Sequence, residues 1–180
     1  MPDNSLQSLQ SAITIMKYSV RVYGILIDSQ KRILVSDEFI RGNYFTKFPG
    51  GGLELGEGTR DCLQREFKEE TNLDVTIGDH LYTTDFFQVS AFNNTDQIIS
   101  IYYEVHAAEP ILLHTKTALF DFEDHQVADP NGCSEVFRWI NFDELHENMV
   151  SLPIDKIVVE MVKKRVCKVL VTSCVKTDIH

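Results

Sequence analysis

The sequence predicts a single α/β domain, and three stretches carry that prediction. Residues 18–27 (YSVRVYGILI) alternate in polarity and are rich in β-branched side chains, the pattern of a half-buried strand. Residues 59–71 (TRDCLQREFKEET) put Cys62, Leu63 and Phe67 on one helical stripe. Between Pro153 and Cys167, Ile154, Ile157, Val158, Met161, Val162 and Val166 recur at helical spacing. No internal repeat or linker interrupts the 180 residues, which suffice for one core without covalent staples.

Taken in order, residues 1–15 are polar at first and weakly amphipathic, and Met16 offers an alternative start. After the strand at 18–27, Asp28–Lys31 reads as a turn and Arg32–Ser36 as a second strand, together a hairpin. Residues 37–47 (DEFIRGNYFTK) read as a loop of mixed charge and aromatics. Thr59 is the expected N-cap of the helix at 59–71. Strands are expected at Val75–Ile77, Leu81–Val89, Gln97–Ala107 and Ser134–Ile140, then a turn at 141–146 opening a short helix. Residues 108–133 lack periodicity, and the spacing of His106, His114 and His125 is not that of a metal site, so they read as surface residues. The segment VLVTSCVKTDIH is apolar enough to pack or to pair with another chain, which leaves a homodimer open. The expected division is an extension at 1–17, a domain at 18–168 and a tail at 169–180.

Charge and cysteine usage narrow the class. A net charge of −10 argues against broad nucleic-acid or anionic-membrane binding. It also means that a polyanionic substrate would need bound cations. Cys62, Cys133, Cys167 and Cys174 form no C-x-x-C pair, which points away from structural zinc and disulfides and toward a reducing, cytoplasmic setting. No apolar run approaches membrane-spanning length.

The chemistry concentrates in residues 50–73, GGGLELGEGTRDCLQREFKEETNL. Glu66, Glu69 and Glu70 share one helical face, and three like charges so close repel unless a cation sits among them. Carboxylate oxygens without His or Cys suit Mg²⁺ or Mn²⁺. Gly50, Gly51 and Gly52 supply a turn where backbone can approach a ligand, and a loop–helix junction suits phosphate oxygens. Taken alone, an acidic amphipathic helix is ordinarily a solvated face. The register of Gly51, Glu57, Arg65-Glu66, Glu69-Glu70 and Leu73 argues otherwise: its six charged and glycine positions would coincide by chance in roughly one such chain in 10⁵.

That register resembles the Nudix box, G-x5-E-x7-R-E-U-x-E-E-x-G-U with U a bulky apolar residue. Asn72 stands where the family has Gly, and Asn is the other residue that readily takes the left-handed turn ending a helix. The resemblance implies a Nudix fold: an α/β/α sandwich with a mixed β-sheet and the box loop and helix at the active site. It also implies metal-dependent hydrolysis of a nucleoside diphosphate linked to another moiety. Glu66, Glu69 and Glu70 are then metal ligands, joined by a carbonyl of Gly50 or Gly51, with Arg65 orienting a box glutamate and Glu57 returning as a secondary ligand or orienting partner. EVFRWI followed by DEL resembles the closing strand and helix of Nudix domains, and by that resemblance Glu135 faces the metals. Glu66 and then Glu135 are the candidates for general base, with the Asp121–Asp129 loop behind them.

Arg41 and Lys47 are the nearest bases for substrate phosphates, Tyr44 and Phe45 could stack on a base, and Gly51 and Gly52 could meet the substrate with backbone. Their alternative roles are ordinary surface charge and core aromatic. The proline that marks ADP-sugar enzymes some fifteen residues after the box is missing around Val89. A nucleoside triphosphate or nucleotide sugar is therefore the default substrate. The competing reading is a Nudix-like sensor that binds a nucleotide or sugar phosphate without cleaving it.

Overall fold

The computed structural model describes residues 17–92 and 95–175, with side chains through Arg165. The expected extension before Lys17 and the last five residues lie outside the described residues. The elements are β1 (Lys17–Leu26), β2 (Arg32–Ile40), β3 (Asn43–Lys47), β4 (Gly50–Gly52), α1 (Thr59–Thr71), β5 (Val75–Thr83), β6 (Asp96–Ala107), β7 (Cys133–Asn141) and α2 (Pro153–Val175). One sheet has the order β4-β1-β6-β5 and the other β3-β2-β7. β1 and β6 run parallel over ten registered pairs, from Lys17↔Asp96 to Leu26↔Val105, and the other named pairings are antiparallel.

β1 buries both faces only in its second half, Val22–Leu26, where the alternation of its first half gives way to a continuous apolar run. Alternation of faces then sorts the side chains of β1 and β2. Val22 and Leu26 of β1 and Leu34 of β2 pack with Leu63 and Phe67 of α1. Tyr23 and Ile25, with Ile33 and Val35, pack instead with Ile154, Val158 and Val162 of α2. The two sheets, one mixed and one antiparallel, thus lie between two helices, the α/β/α arrangement of a Nudix fold. Phe67 is fully buried, and withdrawing such a ring from water contributes roughly 1.5–3 kcal/mol. Among the described residues no helix is long and apolar enough to cross a membrane.

Several local expectations are corrected. β1 and β2 do not form a hairpin; they enter different sheets and share only the bridge Ile27↔Ile33. Each already has two better partners, β4 and β6 for the first, β3 and β7 for the second. The turn between them is held by Asp28, whose carboxylate accepts from the Gln30 and Arg32 amides at 3.0 and 2.8 Å. Residues 37–47 are no loop: β2 continues to Ile40 and turns through Arg41 and Gly42 into β3. The strand expected at Leu81–Val89 ends at Thr83, and Val89 keeps one isolated bridge to Gln97. The short helix after β7 is a single 3-10 turn at Glu147–Met149. α2 continues past 168 to Val175.

α1 spans Thr59–Thr71, but its N-cap is Gly58 rather than Thr59. The Gly58 amide donates to Asp61 Oδ2 at 3.1 Å, while the Thr59 hydroxyl is hydrogen-bonded to that of Tyr103. At the other end Asn72 is left-handed (φ 57°) and its amide donates to the Lys68 carbonyl. Asn72→Ala is expected to cost about 1 kcal/mol of stability and Asn72→Gly almost nothing, since a Cβ is strained in that conformation. Chemical denaturation of the two variants checks this.

Candidate active site

β4 presses the glycine turn against α1. Gly50 has φ 130°, and a Cβ there would lie 2.2 Å from the Val22 carbonyl oxygen. A Cβ on Gly51 would lie 2.4 Å from the Glu66 carboxylate. The backbone of β4 and the first acid of the helix are therefore in direct contact, and only glycine leaves room. Gly51→Ala should displace the Glu66 carboxylate and lower turnover about 10²-fold with the far-ultraviolet circular dichroism unchanged. Wild-type turnover in that variant would remove Glu66 from the machinery.

Arg65 is the hub of the box. It donates to both oxygens of Glu57 at 3.1 and 2.8 Å, to Glu66 Oε1 at 2.9 Å, to Glu69 Oε2 at 3.1 Å and to the Gly52 carbonyl at 3.1 Å. The bidentate pair with Glu57 is the geometry a planar guanidinium favours. Glu57 is anchored a second time, through the Glu54 amide at 2.7 Å. The Arg65 hydrogen bond, then the Glu54 amide, hold the Glu57 carboxyl down to about 2. Cys62 beneath them is fully buried; burial, then its bond to Glu57, pushes its thiol up to about 12, which suits a packing residue rather than a nucleophile.

A second group lies where α1 meets the other sheet. Glu135 of β7 pairs in register with Glu38 of β2, and the Ser36 hydroxyl donates to Glu135. Burial, then the Glu135 charge, pushes the Glu70 carboxyl up to about 8. Burial also raises Glu135, against the pull of Lys47 and the Ser36 hydroxyl. Glu70 Oε2 is buried and has no hydrogen-bond partner. Lys47 is itself buried, with its ammonium 2.8 Å from Glu38, 2.8 Å from the Gly50 carbonyl and over the Tyr23 ring. Burial opposes its charge, but Tyr23, Glu38 and Glu70 outweigh that and raise its pKa.

The structure gathers Gly50, Gly51, Gly52, Glu57, Arg65, Glu66, Glu69, Glu70, Lys47 and Glu135 along one face of α1. Glu69 is at its rim, with its side chain 60% exposed and held, among the described residues, by Arg65 alone. Arg41 is exposed at the β2–β3 turn, three residues beyond Glu38, with its amide bonded to the Gly132 carbonyl. The Phe45 ring packs edge-on against Phe92 at 5.0 Å, and Tyr44 packs on Phe39, Phe120 and Phe122. Sequence reasoning missed Glu38, Ser36 and Arg21. Extending the strand alternation two residues past Ser36 would have placed Glu38 on the face of Leu34. Arg21 shares its face of β1 with Tyr23, to whose hydroxyl its Nε donates at 2.6 Å.

Among the described residues no three acids, histidines or cysteines are already drawn into a ligating arrangement. The donor set nonetheless fits a hard divalent cation. It offers carboxylate and carbonyl oxygens only, and the unpartnered oxygen of Glu70 lies buried beside Glu66, Glu38 and Glu135 with one lysine to offset them. A cation held there would need Glu66, Glu69 and Glu70, with the second lone pair of the Gly50 carbonyl as a further donor.

Fold and site together define a class: an α/β/α domain whose glycine turn and acidic helix offer oxygen donors that could hold a divalent cation beside phosphate oxygens. The NUDIX domain family profile matches residues 17–160, and the chain belongs to that family, the Nudix hydrolases, which generally use a divalent metal to cleave nucleoside diphosphate derivatives. Solved structures with the same fold include the E. coli ORF135 protein, at 18% identity and TM-score 0.58 over 86% of this chain and 94% of that one. A NUDIX hydrolase from Nitrosomonas europaea is similar at 21% identity and TM-score 0.55, over 82% and 90%. A MutT NUDIX hydrolase from Burkholderia pseudomallei gives 16% and 0.58, over 81% and 98%. No curated protein sequence matches the chain.

Proposed function

We propose that this chain hydrolyses a pyrophosphate bond in a nucleoside-diphosphate-linked substrate, a nucleoside triphosphate or nucleotide sugar, with water as the nucleophile. The observation that carries this reading is the buried, unpartnered Glu70 oxygen among Glu66, Glu38 and Glu135, a deficit of positive charge that a divalent ion would fill. A bound Mg²⁺ or Mn²⁺ would supply Lewis acidity and make water a better nucleophile near neutral pH. Glu66, Glu69 and Glu70 would hold it with the Gly50 carbonyl; Arg65 fixes Glu57, Glu66 and Glu69 in position.

Glu135 takes precedence over Glu66 as the base. Glu66 Oε1 is engaged by the Arg65 guanidinium, which weakens it as a proton acceptor. Among the described residues Glu135 receives only a neutral hydroxyl, on one oxygen, which leaves the other to take a proton from water. Lys47 holds the Gly50 carbonyl and Glu38 in place, and Arg21 is the base nearest the apolar recess lined by Tyr23, Phe92, Ile98, Tyr102 and Leu152. That recess is about 30 Å³, and Phe45 packs on Phe92 in its wall. Arg41 is left as a base for the outer phosphates.

The test is phosphate and pyrophosphate release from nucleoside triphosphates, nucleotide sugars, ADP-ribose and dinucleoside polyphosphates, with Mg²⁺ or Mn²⁺ and with chelator. Metal-dependent turnover of one class, lost in Glu135→Gln, is expected. Turnover that survives chelation would remove the metal reading. Metal-dependent binding of nucleotides without release of phosphate would replace hydrolysis with sensing.

A further inference from the structure

The glycine strand β4 is the edge of its sheet, paired antiparallel with β1. In such a pair successive carbonyls point alternately toward the partner strand and away from it. The Pro49 carbonyl accepts from the Gly24 amide of β1 at 2.9 Å, so those of Gly50 and Gly52 turn outward. Each outward carbonyl is met by a cation. Arg65 of α1 donates to that of Gly52 at 3.1 Å, and Lys47 at the end of β3 donates to that of Gly50 at 2.8 Å.

Position in the sequence suggests Lys47 as a base for substrate phosphates, but its surroundings argue against it. The residue is 2% exposed. An ammonium has three N–H groups. Lys47 gives one to the Gly50 carbonyl and one to Glu38 at 2.8 Å, and its nitrogen lies over the Tyr23 ring, 5.3 Å from the centroid. Tyr23 is itself buried, with its hydroxyl held by Arg21. A phosphate arriving from solvent meets almost none of this lysine.

Two roles remain, and they are separable. As a counter-ion, Lys47 offsets Glu38, whose side chain is largely buried and stands opposite Glu135 in the β2–β7 register. As a donor, it engages one of the two lone pairs of the Gly50 carbonyl and so fixes the direction of the other. Three consecutive glycines leave a chain free to swing its carbonyls, so an outward one keeps its direction only if something outside the turn holds it.

We propose that Lys47 is a positioning residue for the metal: its hydrogen bond to Gly50, over and above its charge beside Glu38, aims the free lone pair of that carbonyl at an ion held by Glu66, Glu69 and Glu70. The proposal rests on the reading that Gly50 is a donor to the divalent ion.

Two variants separate the roles. Lys47→Met removes both and leaves Glu38 a buried, uncompensated charge, so its Tm should fall by several degrees. Lys47→Met/Glu38→Gln removes base and acid together, keeps the local charge of wild type, and should recover most of that Tm. The probe is Mn²⁺, titrated by calorimetry into the full chain without substrate. Its affinity for the double variant should be about tenfold below wild type, at the low end of what losing the outer partner of a metal ligand costs. With the nucleotide that wild type cleaves, kcat should fall in parallel while KM holds, because Lys47 does not touch substrate.

Wild-type Mn²⁺ affinity in the folded double variant overturns the positioning role and leaves Lys47 as the counter-ion of Glu38. A raised KM with unchanged Mn²⁺ affinity also overturns it and returns Lys47 to the phosphates. Weakened Mn²⁺ binding in the variant, with no nucleotide cleaved by wild type, keeps the positioning role and overturns hydrolysis. Wild type that binds no Mn²⁺ overturns the metal reading and the positioning role together. Should the double variant not fold, the ammonium resonance of Lys47 in wild type decides by nitrogen NMR: Mg²⁺ should shift it, and a resonance that Mg²⁺ leaves unmoved overturns the proposal.

Discussion

Glu70→Gln should make the metal-free protein more stable at pH 8 while removing most of its activity. Burial and the neighbouring Glu135 push this carboxyl from its ordinary 4.5 up to about 8, so between those values the folded state holds a proton that the unfolded chain has released. Stability from this group is complete below about 4.5 and is lost as pH rises through about 8. Wild type without metal should therefore weaken across that window, and Glu70→Gln should not. The difference at pH 8 is expected to be about 2 kcal/mol, a Tm several degrees higher in a chain of this size. Mg²⁺ should raise the Tm of wild type and leave the variant almost unmoved, because one anionic ligand is gone. Turnover should fall at least 10²-fold. Thermal melts from pH 5 to pH 9, with and without Mg²⁺, read all of this except the turnover. A variant no more stable than wild type at pH 8 would mean that the unpartnered oxygen is not the charge deficit it is taken for here.

Arg65→Lys and Arg65→Ala should both cripple the site, and lysine should rescue little. One guanidinium spans Glu57, Glu66, Glu69 and the Gly52 carbonyl. An ammonium is a point charge and cannot reproduce the planar fork. Misplacing the acids by about 1 Å is enough for a loss near 10²-fold, and that is the expected fall in kcat/KM for lysine, with alanine lower still. The Glu57 carboxyl, held down to about 2 chiefly by Arg65, should rise toward its ordinary 4.5 in the alanine variant. Its contribution to stability is present above about 4.5 and lost as pH falls through about 2, so wild type should keep the latch in moderate acid and the variant should have none to lose. Carbon-detected NMR titration of the glutamates reads the shift. A lysine variant with wild-type activity would show that Arg65 acts as a charge alone.

Glu69 illustrates what spacing can and cannot say. One helical face was readable for Glu66, Glu69 and Glu70, and repulsion among them was the natural inference. In the fold the three have different environments: Glu66 lies under the Gly51 backbone, Glu69 is at the solvent rim and Glu70 is buried against Glu135. The electrostatic cost falls on Glu70, not evenly on the set. Helical periodicity orders side chains around their own axis; what stands opposite each is set by other segments.

The amino-acid sequence alone determined the box, the bounds of α1 at Thr59 and Thr71 (though not its cap, Gly58), the left-handed stop at Asn72 and the start of α2, because periodicity and turn chemistry are local. It also pointed to the class of chemistry, since carboxylate oxygens gathered on one face of a helix suit few cations. Only the tertiary structure decided that β1 and β2 part into separate sheets, that Glu38 stands opposite Glu135, and that His114 and His125 face the acids across a cavity. Those are pairings between residues far apart in the chain. Alternation announces a strand but is the same for every choice of neighbour, so which strand it meets, and in what register, is settled by the burial of the whole core.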